Sequence, residues 1–193
     1  MKYSLFIVEG MQDVELCARI FKLNGFKRQR VLSVISELWL PFFPNVELGK
    51  LDDITQRPRI PAAFARSDQS ILVLPAGGID RIIDEAVLVR AQLRNGKAVF
   101  GFGIIVDCDK KNGTVASIYS ELRKGFYFLS FPNAPGSIAT GTPNVGAYIL
   151  PDNAHVGALE DVLLEGAQNE YPNMLSAAQS FVNSIGASHA PAN

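Results

Sequence analysis

Apolar residues gather in four short runs, at 5–8, 71–74, 99–106 and 145–150, and helical periodicity fills most of the intervals between them. Residues 12–24 place Val14, Cys17, Ala18 and Phe21 on one stripe and stop at Asn24 and Gly25. Residues 79–94 repeat the pattern with Ile79, Ile82, Ile83, Ala86 and Val87 and stop at Asn95 and Gly96. Three further helices are predicted at about 115–124, 158–166 and 174–185. Continuous apolar strands alternating with helices predict an α/β fold whose mostly parallel sheet is covered on both faces. Two stretches break the rhythm. Residues 36–67 contain Pro41, Pro44, Pro58 and Pro61 around an apolar piece, 38–43, that holds the single tryptophan; this reads as an insertion packed onto the core. Residues 130–144, rich in Ser, Pro, Gly, Asn and Thr, read as a long loop near function. With 193 residues the chain is expected to form one domain over 1–193.

Composition narrows the class. A chain that is 48% apolar and 19% charged has the balance of a folded globular protein, which excludes disorder and coiled coil. No apolar run approaches the roughly 18 residues of a membrane span. The apolar stretch 5–8 is too short for a signal-peptide core, so a cytoplasmic location is expected. Cys17, Cys108, His155 and His189 are too few for a disulfide framework or a zinc site. Charge is unevenly spread: residues 1–124 carry all 18 Lys and Arg, whereas residues 125–193 carry five acids and no base. That split is compatible with ordinary surface variation or with a cation site beside a basic surface for a polyanion.

In parallel sheets the functional edge lies past the carboxyl ends of the strands, and three of the four apolar runs end in acid. The first leads into Glu9-Gly10-Met11-Gln12-Asp13 and the third into Asp107-Cys108-Asp109. The fourth leads into Pro151-Asp152, followed by Glu160 and Asp161; the second ends in Gly77-Gly78. Singly, each acid has a structural explanation: Asp13 as a first-turn acid, Asp107 or Asp109 as an N-cap, Asp152 as a turn former, Glu160 as a solvated residue. Together, like charges on one edge are costly unless a cation lies among them, and hard oxygen ligands select Mg²⁺, Mn²⁺ or Ca²⁺. Gly10, Gly77 and Gly78 would let main chain approach a phosphate closely. An EF-hand loop starting at Asp107 fails, since Asn112 and Ile118 stand where Gly and Glu are needed. Lys111 at the fifth place weakens a haloacid-dehalogenase reading. A nucleotide-sugar transferase would leave the Val8-Glu9-Gly10-x-x-Asp13 segment unexplained.

The order of these motifs resembles the Toprim domain of topoisomerases, bacterial primases and the overcoming-lysogenization-defect nucleases. The motifs concerned are Val8-Glu9-Gly10-x-x-Asp13, the double glycine and Asp107-x-Asp109. With Pro151-Asp152-Asn153 and Gly157-x-Leu159-Glu160-Asp161 added, the chain looks most like a small Toprim-related family, domain of unknown function 3226. The resemblance implies a three-layer, Rossmann-like fold and a Mg²⁺- or Mn²⁺-dependent site acting on nucleic-acid phosphodiesters. Glu9 falls on the catalytic acid or base. Asp107, Asp109, Glu160 and Asp13 fall on metal-binding positions, while Gly10, Gly77, Gly78, Lys110 and Lys111 would meet substrate. The chain departs from the nuclease pattern in having no base after Lys124. That departure implies either slow cleavage unless a partner protein or second subunit supplies a cation, or a catalytically weak binding and regulatory module.

Overall fold

The computed structural model describes residues 1–43, 61–94, 99–109 and 113–188. Among the described residues, seven strands form one sheet in the order β2-β3-β4-β1-β5-β7-β6. The central four are parallel: β1 (Lys2–Val8), β4 (Gln69–Pro75), β5 (Gly101–Asp107) and β7 (Asn144–Leu150). Antiparallel strands flank them, β2 (Lys27–Gln29) and β3 (Ala62–Ala65) on one side and β6 (Ile138–Ala139) on the other. The helices are α1 (Met11–Leu23), α2 (Ile79–Arg94), α3 (Val115–Gly125), α4 (Leu159–Glu170) and α5 (Pro172–Ser188). All five stand where the periodicity predicts them. This is a three-layer, Rossmann-like α/β arrangement with a mostly parallel centre.

Side-chain alternation assigns the layers. Leu5, Ile7, Phe102, Ile104, Val106, Val145, Ala147 and Ile149 point to one face and are buried. They pack with Ile82, Ala86 and Val89 of α2, Ile118 and Leu122 of α3 and Phe126 at its C-cap into the larger core. On the opposite face α1 covers β1, β4 and β3, where Val14 and Cys17 meet Val8, Phe64, Ile71 and Val73. The expectation of a sheet covered on both faces holds only in part. Over β5 and β7 that second face carries Gly101, Gly103 and Gly146 in register with one another or one strand pair apart. It remains an open groove of about 640 Å³, walled by Ile20 of α1, Val162 of α4 and Ile138 of β6.

The tryptophan segment packs as the sequence implies. Trp39 is 1% exposed and donates from Nε1 to the buried Ser70 Oγ at 2.8 Å, and Phe42 and Phe43 are buried beside it. Residues 44–60 of the expected insertion lie outside the described residues, but 62–65 within it supply the sheet strand β3. The segment 130–144 is loop apart from β6 and Asn144, which opens β7. Among the described residues, no helix is long and apolar enough to cross a membrane.

Candidate functional site

Parallel pairing brings four strand ends to one edge. Val8 is paired with both Pro75 and Ile105, and Asp107 with Leu150, so the residues that follow β1, β4 and β5 emerge side by side. Glu9 is the first residue beyond β1. Its Oε2 accepts a hydrogen bond from the Asp107 main-chain N–H at 3.3 Å, tying the first acidic motif to the third. The Glu9 carbonyl in turn accepts from Gly77 N–H at 2.8 Å and Gly78 N–H at 3.1 Å. Both glycines have positive φ, 82° and 132°, a conformation that other residues adopt only with strain. The double glycine therefore braces the main chain that carries Glu9. Gly10 caps α1, and its N–H donates to Asp13 Oδ2 at 2.8 Å. Asp13 is 4% exposed, an acid held inside the fold at a helix N-terminus.

Asp107 makes a helix-capping contact, as its structural reading expects, but to a different helix. Its Oδ1 accepts from the Leu159 N–H at 3.0 Å, so it satisfies a donor at the start of α4 rather than of the following helix, α3. Thr114 caps α3 instead. Cys108 bridges to Gly157 through hydrogen bonds of 2.9 Å and 2.7 Å, which fasten the Asp107–Asp109 turn to the residues before α4. Glu160 stands in the first turn of α4, where Asp161 closes a capping interaction by accepting from Ala158 N–H at 2.8 Å.

The electrostatics show which acids share the edge. Burial raises Asp107 to about 6, with Asp13, Glu9 and Glu160 adding repulsion and the Leu159 bond opposing the rise. Burial also raises Glu9; the Asp107 N–H opposes the shift, and Asp13, Asp109 and Asp80 reinforce it. Asp13 is raised by burial and by Glu160, against the Gly10 N–H. Among the described residues, no basic side chain contributes to any of the three balances. Glu9, Asp13, Asp107, Asp109 and Glu160 thus act on one another across the strand-end edge. Among the described residues, no group of three or more His, Cys, Asp or Glu side chains is arranged to hold a metal ion as it stands. Lys110 and Lys111 lie outside the described residues.

Asp152 is a turn former, accepting from the N–H groups of Ala154 and His155 at 3.0 and 2.8 Å and meeting the His155 ring at 2.6 Å. Of the basic residues near the end of α1, Arg28 is paired with Glu15 at 2.7 Å. Its strand, β2, lies three places from β1 across the sheet.

A folded-state acid titrating above its ordinary range binds its proton more tightly than the unfolded chain does. Asp107 should therefore cost little below pH 4 and destabilise progressively as pH rises toward about 6. Asp107→Asn keeps an acceptor for Leu159 but removes the charge. Allowing for solvent screening of a half-exposed group, the variant should be about 1 kcal/mol more stable than wild type at pH 7.5 in chelator, the gain vanishing near pH 4. Urea unfolding at the two pH values measures it, and a variant no more stable at pH 7.5 would remove the electrostatic account of this cluster.

The family model described as "Protein of unknown function (DUF3226)" matches residues 3–192. The chain belongs to this family. No curated protein matches it. Among solved structures, it is similar to a crystal structure of hypothetical protein PH0156 from Pyrococcus horikoshii OT3. The identity is 19% and the TM-score 0.58, over 96% of this chain and 75% of that one, a likeness of fold. In this DUF3226 chain the acid that strand-end reasoning missed is Asp80, in the first turn of α2, whose charge reaches Glu9. Its signal was its place, two residues beyond the double glycine at the end of β4.

Proposed function

We propose that this chain is a Toprim-like, Mg²⁺-dependent domain that cleaves nucleic-acid phosphodiesters. The observation carrying the proposal is Asp107, raised to about 6 by burial and by carboxylates arriving from the end of β1, from α1 and from α4. Such a cluster is costly alone and is relieved by a divalent cation. The donors fit Mg²⁺ or Mn²⁺ in kind, being hard carboxylate oxygens, and Asp107, Asp109, Glu160 and Asp13 are the residues that would hold it. When bound, the ion would supply Lewis-acid stabilisation of phosphoryl charge. Glu9, raised from its ordinary value by burial and anchored to the Asp107 N–H, would orient water and accept its proton. Gly10, Gly77 and Gly78 bring main chain close to the same edge, and Lys110 and Lys111 follow Asp109 directly in sequence, as phosphate contacts require.

A second reading, a metal-dependent nucleotide or nucleic-acid binding and regulatory module, is favoured by one observation: no basic residue follows Lys124 to meet transition-state charge. Incubation with Mg²⁺ or Mn²⁺ and single- and double-stranded DNA and RNA tests the first reading. Cleavage by wild type, absent with chelator and in Asp107→Ala, is the expected result. Cation-dependent binding without cleavage by any substrate would replace the first reading with the second.

A further inference from the structure

The sheet has an open face, and the chain carries a helix whose apolar side no strand covers. Helix α5, Pro172–Ser188, contains no Asp, Glu, Lys or Arg. Met174, Ala177, Ala178, Phe181 and Val182 recur at intervals of three and one, the spacing of an apolar stripe made to be buried. Yet every side chain from Pro172 to Ile185 is exposed except the half-buried Leu175, with Phe181 at 66% and Val182 at 64%. The groove over β5 and β7 matches this stripe. Its floor is main chain at Gly146 together with Ser4 and Phe6, which lie over Gly101 and Gly103; its walls include Ile20, Ile138 and Tyr148, and among the described residues no charged side chain lines it. A Cβ on Gly146 would meet nothing closer than 3.7 Å, so the floor is open there, whereas a Cβ on Gly103 would lie 2.5 Å from the Phe6 ring, which makes Phe6 part of the apolar surface offered to a helix.

The helix cannot fold back into its own groove without breaking the junction with α4. A helical hairpin needs about two to five connecting residues, and here one residue, Tyr171, joins α4 to α5. Helical bonding runs through it: Tyr171 N–H donates to Ala167 O at 2.8 Å, and Leu175 N–H donates to Tyr171 O at 3.0 Å. We propose that α5 docks in the groove of a second copy of this chain, the two molecules exchanging helices about a two-fold axis. Charge matches, since among the described residues neither surface bears any. Area reaches the threshold: a 17-residue helix is about 26 Å long and about 10 Å wide, so two reciprocal dockings, counting both surfaces, bury on the order of 1,000 Å², the size a specific interface has to reach. The inference stands apart from the metal-dependent reading and does not require it.

Sedimentation equilibrium on the full chain tests it, with two sets of variants at exposed positions, where folding is little affected: Phe181→Asp with Val182→Asp on the helix, and Ile138→Asp with Tyr148→Asp at the groove. Wild type should sediment as a dimer. Each charged pair should weaken association by about a hundredfold or more, since a buried unpaired charge has no partner on either surface, while far-UV circular dichroism is unchanged. A monomeric wild type overturns the proposal. So does a dimer that survives either pair, because helix and groove must both be needed.

Discussion

Glu9→Gln should reduce Mg²⁺-dependent turnover by roughly 10² to 10⁴ while leaving nucleic-acid binding nearly unchanged. The amide preserves the shape of the side chain and can still accept from the Asp107 N–H, the 3.3 Å contact that holds Glu9 at the edge. What it loses is the ability to take a proton, and the raised affinity of Glu9 for one is the property that suits it to that task. Asp109→Ala should behave differently, weakening cation and phosphate binding together. Single-turnover rates and filter binding on the two variants separate the roles. If Glu9→Gln cleaves at the wild-type rate, Glu9 is structural and the proton acceptor lies elsewhere.

Divalent cations should stabilise the fold substantially. The repulsion among Glu9, Asp13, Asp107, Asp109 and Glu160 is assembled only in the native state. An ion that relieves it binds the folded chain and not the unfolded one, and at a thousandfold excess over its dissociation constant adds about 4 kcal/mol. Thermal unfolding with and without Mg²⁺ or Mn²⁺ should show a rise in Tm for wild type and little for the Asp107→Asn, Asp109→Asn pair. Equal rises in both would place the ion away from this edge. The double variant should itself start from a higher baseline in chelator, so the two melting curves should converge as cation is added.

Much of this arrangement is readable along the chain because parallel strands announce themselves as unbroken apolar runs, and a strand's end names the residue that reaches the edge. Glu9, Asp107 and Asp109 were identifiable on that ground alone. The missed strands are those that lack the signal. Lys27–Gln29 is polar and three residues long, Ile138–Ala139 is two residues within a loop of turn formers, and Ala62–Ala65 is masked by the prolines before it. The open half of one sheet face was hidden because Gly101 and Gly103 sit inside an apolar run, where small size and missing cover look the same as burial. The attachment of Asp107 to α4 was equally invisible, since Leu159 lies 52 residues away and only the crossover back from β7 brings it near.

The Cys108 to Gly157 bridge has a consequence for how this chain can vary. Cys108 N–H reaches both Leu150 O and Gly157 O, so the loop between those two residues leaves and returns at one point already fastened to β5. Its length is therefore decoupled from the acids it separates: Asp107 stays on one side of the fastening and Glu160 on the other, whatever happens between them. Doubling such a loop costs only about 0.6 kcal/mol of closure entropy. Residues 152–156 are thus a place where insertions, tags or a recognition loop can be added without moving the carboxylates.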